Sequence, residues 1–170
     1  MSSLFHFRWS LPVLAELHRG GGTKFVTLSN RLGVGRETLR RTLDALVEAD
    51  LVARNPGYGH PLRPEYVLTA GGRRLGPAAM RLVDALRDEG LEDVGLKKWS
   101  LPVVIELAAE RRFAELRTAL RVSPRALTLA LKDLAHAGLV ERRVHDGFPP
   151  STTYRLTGRA RRLRRLAAAL

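Results

Sequence analysis

Leu127, Leu131 and Leu134 recur at helical spacing among polar neighbours, which writes one apolar helix face into the chain. Ser123 is a natural N-cap for that helix, Pro124 suits its first position, and Gly138 suits its end. Upstream, Phe113-Ala114-Glu115-Leu116 opens a shorter helix that reaches Leu120, and Arg121-Val122 makes a tight turn into Ser123. Before it, Leu101, Val104, Ile105 and Leu107 predict a helix from Leu101 to Glu110, capped by Ser100 with Pro102 in its first turn. Downstream the period changes from helical to alternating. Leu139–Val144 predicts a strand, Asp146-Gly147-Phe148-Pro149-Pro150 a turn, and Thr152–Thr157 the returning strand. Two helices joined by a short turn and followed by a β-hairpin make a winged helix-turn-helix.

The first half of the chain carries the same order. Helices are expected over Leu11–His18, Phe25–Leu32 and Arg36–Ala49, and strands over Leu51–Arg54 and Glu65–Thr69, around the turn Asn55-Pro56-Gly57-Tyr58-Gly59. The two halves also align residue by residue. Trp9-Ser10-Leu11-Pro12-Val13 returns as Trp99-Ser100-Leu101-Pro102-Val103, and from Phe25 to Gly76 an offset of 88 gives 19 identities over 52 positions. A duplicated unit of about 80 residues is too long for a solenoid repeat and fits a small domain. The expected domains are residues 1–90, ending in an amphipathic bridging helix over Pro77–Glu89 with Met80, Val83 and Leu86 on one side, and residues 91–170, ending in an arginine-rich helix. The fold class is mostly α with small β wings (α+β): tandem winged helix-turn-helix domains in a pseudo-two-fold arrangement.

Charge narrows the partner. The net charge is +12 and the pI near 11.3, with +4 on residues 1–90 and +8 on residues 91–170. A GC-rich coding bias accounts for the excess of Arg over Lys but not for the net charge, since Asp and Glu are equally accessible to such a genome. A basic chain with helix-turn-helix patterning points to a polyanion, double-stranded DNA above all. No cysteine is present, which excludes disulfides, thiol catalysis and cysteine redox sensing. No run approaches the ~20 apolar residues of a membrane span, and the N-terminus lacks the basic-then-apolar pattern of a secretory signal. A cytoplasmic, nucleoid-associated protein with no membrane partner is expected.

These residues resemble the HxlR-type winged-helix transcriptional regulators. The resemblance is carried in the second half by Lys98-Trp99, Phe113-Ala114-Glu115-Leu116, Ser123 with Leu127-Thr128, Gly138-Leu139-Val140-Glu141-Arg142, and Pro149-Pro150 leading to Tyr154-Arg155-Leu156-Thr157. The first half keeps Arg8-Trp9, Phe25 with Leu28, Asp50-Leu51-Val52-Ala53-Arg54 and Tyr66-Val67-Leu68-Thr69. The resemblance implies DNA binding by each unit. It also marks two departures. Members of that family typically carry one winged helix per chain and pair through terminal helices, whereas this chain fuses two, so it looks like a covalent dimer. Members often carry a cysteine shortly before the Lys-Trp pair, and this chain has none, so thiol sensing does not carry over.

In a helix-turn-helix the second helix reads the major groove with its N-terminal part. The face opposite the leucines presents Arg36, Glu37, Arg40, Arg41 and Asp44 in the first unit, and Pro124, Arg125, Thr128, Leu129 and Lys132 in the second. Arginine suits guanine, Glu37 suits a cytosine amine, and Thr128 with Leu129 suit a thymine methyl. The two faces differ, so an asymmetric target is expected. The wings offer Arg54, His60 and Arg63, and Arg142, Arg143 and His145, to phosphates or the minor groove. Tyr66, Tyr154, Trp9 and Trp99 are read as core residues. Arg155, Arg159, Arg161, Arg162, Arg164 and Arg165 fall within eleven residues, with Leu163, Leu166 and Leu170 interleaved. That pattern suits a phosphate-gripping helix, a packing helix, or one doing both on opposite faces.

Nothing in the chain suggests catalysis. It has no phosphate-cradling glycine loop, paired carboxylates or nucleophile motif, and Gly20-Gly21-Gly22 reads as a turn between helices. The five histidines lack metal-ligand spacing. No catalytic residue, cofactor or metal is assigned. The expected function is a sequence-specific regulator of transcription acting as a covalent pseudo-dimer, monomeric as a chain, with further homodimerisation left open. The alternatives are an architectural or replication-initiation DNA-binding protein, and a winged-helix module for protein interaction.

Overall fold

Leu39, Leu43 and Leu46, and their counterparts Leu127, Leu131 and Leu134, are all buried, so the repeated apolar face is the one each helix turns inward. In this computed structural model, which describes residues 4–55, 65–146 and 151–170, the chain forms two compact units, Met1–Asp84 and Ala85–Ala169. Each is described separately.

The first unit opens with helix α1 (Ser10–Gly20), strand β1 (Thr23–Lys24), α2 (Phe25–Leu32) and α3 (Arg36–Glu48). It continues with β2 (Val52–Asn55), β3 (Glu65–Leu68) and the start of α4 (Ala70–Asp88), within which the division between units falls. Its sheet is antiparallel, in the order β1-β3-β2, with Arg54 opposite Tyr66. Leu11, Val13, Leu14 and Leu17 of α1 are buried, as are Leu28 of α2 and the α3 leucines.

The second unit repeats the plan. After the short helix α5 (Glu92–Gly95) come α6 (Ser100–Glu106), β4 (Arg111–Arg112), α7 (Phe113–Leu120) and α8 (Pro124–His136). Then follow β5 (Val140–His145), β6 (Ser151–Leu156) and α9 (Gly158–Ala167). The sheet order is β4-β6-β5, with Arg142 opposite Tyr154, the register of the first unit. The fold is thus a tandem of winged helix-turn-helix units, mostly helical with small antiparallel sheets.

Several local expectations are revised. Each wing has a third strand of only two residues, too short to show an alternating pattern, and it adds an edge to the hairpin. The segment Gly20-Gly21-Gly22 therefore leads into a strand and not directly into a helix; Gly21 and Gly22 take φ of 69° and 147°, which glycine adopts at low cost. Ser100 does not cap α6. Trp99 holds that position, and Ser100 is buried with its Oγ unpartnered; α1 likewise begins after Trp9 with Ser10 buried. The helix α6 stops at Glu106, before the expected Glu110.

The helix α4 begins at Ala70, ahead of the expected Pro77, because Thr69 supplies the cap: its Oγ1 accepts from the Gly72 N–H at 3.1 Å. A Cβ at Gly72 would run into the carbonyl oxygen of Leu51, so only glycine lets this helix start against the wing. Periodicity missed the segment because three glycines and an internal proline all argue against helix.

The recognition helices start as predicted. Ser123 Oγ accepts from the Ala126 N–H at 3.3 Å, with Pro124 in the first turn. Gly35 stands at the same point before α3 and offers no side chain. The turn into each helix needs one left-handed residue, which is Gly33 (φ 62°) in the first unit and Arg121 (φ 50°) in the second.

Candidate nucleic-acid interface

Burial of the α3 leucines turns Arg36, Glu37, Arg40, Arg41 and Asp44 outward, and all five are exposed. They do not stand independently. Arg40 forks onto the Glu37 carboxylate, with Nε 3.1 Å from Oε2 and Nη2 2.9 Å from Oε1. Arg41 Nε donates to the same Oε1 at 2.9 Å, and Arg40 Nη1 lies 3.7 Å from Asp44 Oδ2. The spacing at i, i+3 and i+4 makes these partners neighbours on the helix surface. The Arg40 hydrogen bond, then that of Arg41, holds the Glu37 carboxyl below the usual carboxylate range, and Glu37 in turn raises Arg40. The α3 face is therefore a carboxylate clasped by two guanidiniums, with Arg36 beside it.

The α8 face is chemically different. Arg125, Thr128, Leu129 and Lys132 are all exposed, and among the described residues neither cation meets a carboxylate. Leu129 is 59% exposed, an unusual place for a leucine on a charged surface. This face offers two unpaired cations flanking an apolar and a hydroxyl side chain.

In the first wing Arg54 is exposed on β2, while His60 and Arg63 lie outside the described residues. In the second wing Arg142, Arg143 and His145 are exposed along β5. His145 Nε2 lies 2.7 Å from Thr153 Oγ1 and 3.3 Å from Glu110 Oε1, and Thr153 also donates to Glu110. That donation, reinforced by His145 and Arg143, holds the Glu110 carboxyl below its ordinary value. Arg155 on β6 clasps Glu141 on β5, at 2.8 Å from Nε and 2.6 Å from Nη2. Glu110, Thr153 and Glu141 escaped the sequence reading. The pairing of β5 with β6, which sets Arg143 opposite Thr153 and Glu141 opposite Arg155, is the signal that would have found the last two.

The aromatic positions are half-buried, and each unit sets a cation over its tryptophan: Arg8 at 5.8 Å from the Trp9 ring and Lys98 at 5.3 Å from the Trp99 ring. The C-terminal arginines ride on α9, which buries Ala160, Leu163 and Ala167 and packs on α6. Its inner face is thus a packing face, and Arg161, Arg162 and Arg165 are exposed. Among the described residues no helix is long and apolar enough to cross a membrane, and no group of three acidic or histidine side chains is set to hold a metal.

Residues 4–91 and 94–170 each match the family model described as HxlR-like helix-turn-helix. An uncharacterized HTH-type transcriptional regulator of Mycobacterium bovis is 41% identical over 76 residues, which cover 45% of this chain and 48% of the relative. A second, from a Synechocystis strain, is 37% identical over 75 residues, covering 43% of this chain and 56% of the relative. The match thus spans about half the length of these curated relatives. Among solved structures, the redox regulator HypR in its oxidized form is 31% identical with a TM-score of 0.45, covering 48% of this chain and 87% of that one. The reduced form of the transcriptional regulator YodB from B. subtilis is 26% identical with a TM-score of 0.44, covering 47% and 80%.

Proposed function

This chain belongs to the HxlR-like helix-turn-helix family, a family of transcriptional regulators, and from that premise we propose that it binds double-stranded DNA sequence-specifically as a covalent pseudo-dimer. The observation that carries the reading is the pair of recognition helices, each buried on its leucine face and exposed on a face bearing arginine or lysine. Fusion of two units in one chain removes the association cost that separate chains would meet and gives the second unit a high effective concentration once the first is bound. The boundary between residues 90 and 91 and action at the nucleoid belong to this same proposal.

Roles follow from chemistry. In the first unit Arg36, Arg40 and Arg41 are readers of guanine, and Glu37 with Asp44 fixes their orientation or accepts from cytosine. In the second unit Thr128 and Leu129 meet a thymine methyl, while Arg125 and Lys132 reach phosphates or guanine. Arg54, His60, Arg63, Arg142, Arg143 and His145 grip the backbone beside each helix. Such a role needs neither catalysis nor a cofactor.

Selection of bound duplexes from a random pool tests the reading. The expected result is a motif of two unlike halves, with discrimination in one half lost on replacing Arg40 and Arg41 by alanine. Equal affinity for all duplexes would exclude sequence-specific recognition. No binding even at low salt would favour a protein-interaction role, and a selected site remote from promoters would favour an architectural one.

A further inference from the structure

The second unit has a cavity whose charged lining the first unit's sequence does not repeat. It measures about 400 Å³ and lies where the end of α6 and the loop after it meet the end of β6 and the outer turns of α9. Arg155, Arg161, Arg164 and Arg165 line it, with Glu110 the one acid; Leu107, Ala108 and Leu156 give it an apolar floor. The volume is within the range of small-molecule pockets, roughly 300–1,000 Å³.

The repeat shows that this is no general consequence of the fold. In the first unit Gly76 stands where the second has Arg164, Pro77 where it has Arg165, and Val67 where it has Arg155. His18 stands where the second unit has Ala108. A Cβ at Gly76 would come within 3.0 Å of the His18 ring and its Cβ, so in the first unit imidazole occupies this place. The second unit has exchanged His and Gly for Ala and Arg, which empties one wall and charges the other.

The charges there are not all compensated. Glu110 is engaged by Thr153 and His145, and Arg155 by Glu141. Arg161, Arg164 and Arg165 form no ion pair with any described residue. Arg164 Nε is buried without a hydrogen-bond partner, a state that costs free energy and is uncommon in folded proteins. In the first unit Arg73, the equivalent of Arg161, donates to the Leu68 carbonyl at 2.8 Å, so there the corresponding charge is used internally.

We propose that this cavity binds a small organic anion, a carboxylate on a compact apolar body. Guanidinium groups grip a carboxylate through paired N–H donors, and three of the four that line the cavity carry no ion pair with a described residue. The leucine and alanine floor takes the apolar body, which inorganic phosphate cannot offer. The duplex backbone is a poorer fit, because it lies on a convex rod and this site is concave. An occupant that drew on Arg155 would compete with Glu141 for it.

The test is titration of the full chain, observing the arginine Nε–H signals by NMR, with that of Arg164 identified by its loss in Arg164→Gln. The probes are sodium benzoate, the uncharged benzamide, inorganic phosphate and sodium chloride at matched ionic strength. Benzoate is expected to shift the Arg164 signal saturably with a dissociation constant of about 1–10 mM, and both benzamide and phosphate at least about tenfold more weakly. Ala108→His leaves every arginine in place and restores the imidazole of the first unit; it is expected to abolish the benzoate shift. Arg165→Gln, at an exposed position, is expected to weaken it severalfold without unfolding risk. A benzoate response no greater than that of chloride overturns the proposal, as does one equalled by benzamide or phosphate, or one unchanged in Ala108→His. A shift caused by duplex DNA and not by benzoate would assign these arginines to the phosphate backbone.

Discussion

The guanidinium of Arg40 is forked onto the carboxylate of Glu37, one turn away on the exposed face of α3, at 2.9–3.1 Å. The same carboxylate also holds Arg41, so a single acid sets the direction of two candidate base readers. Replacing Glu37 by glutamine keeps the shape and removes the charge. The expected outcome is tighter binding to random duplex, weaker discrimination among sites, and a log–log salt slope steeper by up to about two units as two arginines turn to phosphates. Binding isotherms over a range of salt concentrations check this. An unchanged slope would mean that releasing the arginines does not move them onto phosphates.

Glu110 gives a dependence on acidity. Donation from Thr153, with help from His145 and Arg143, lowers its folded-state value below the ordinary 4.5. The folded state therefore binds this proton less readily than the unfolded state. The resulting stabilisation is complete above 4.5 and is lost as pH falls through the lowered value. The group is exposed, so the effect is small. Thr153→Val removes the largest cause, and its urea midpoint should fall less steeply on acidification below 4.5 than that of the parent chain.

The corner before each recognition helix gives a matched pair of substitutions. Arg121 holds φ 50° where its counterpart Gly33 holds 62°. A left-handed residue with a Cβ costs about 1–2 kcal/mol, offset in part by the greater freedom of glycine in the unfolded chain. Arg121→Gly should therefore stabilise the second unit by about 0.5–1 kcal/mol, and Gly33→Ala should destabilise the first by about 1 kcal/mol. Chemical denaturation reads both.

Ser123 closes the N-terminus of α8 through its bond to the Ala126 N–H. Ser123→Ala should cost about 1 kcal/mol and fray the first turn of that helix. Hydrogen exchange at Ala126 should rise more than at Leu134, which is buried deep in the unit.

Leucine spacing marked the buried faces of α3 and α8, Phe25 and Phe113 opened their helices at the expected residues, and the two hairpins fell within a residue or two of their predicted ends. The spacing of Glu37, Arg40 and Arg41 already allowed the clasp, although each residue reads in the sequence as a separate contact. The start of α4 stayed hidden, because Gly71, Gly72 and Pro77 are poor helix formers and the reason for Gly72, the carbonyl of Leu51, is distant in sequence. Ser100 looked like a cap because its type is right, but the helix begins one residue earlier and buries it.

The sequence by itself determined the duplication, the winged helix-turn-helix order, the inward and outward faces, and the family. The element order and the faces rest on periods of two and 3.6 residues and on caps, which act over a few neighbouring positions, whereas the duplication and the family rest on residue identities along the chain. Only tertiary structure decided that Glu110 meets Thr153 and His145, that two residues suffice for a third strand, and that Ala108, Arg155 and Arg164 line one charged cavity. Those outcomes depend on strand register and on which side chain fills a given volume, and neither quantity is encoded locally.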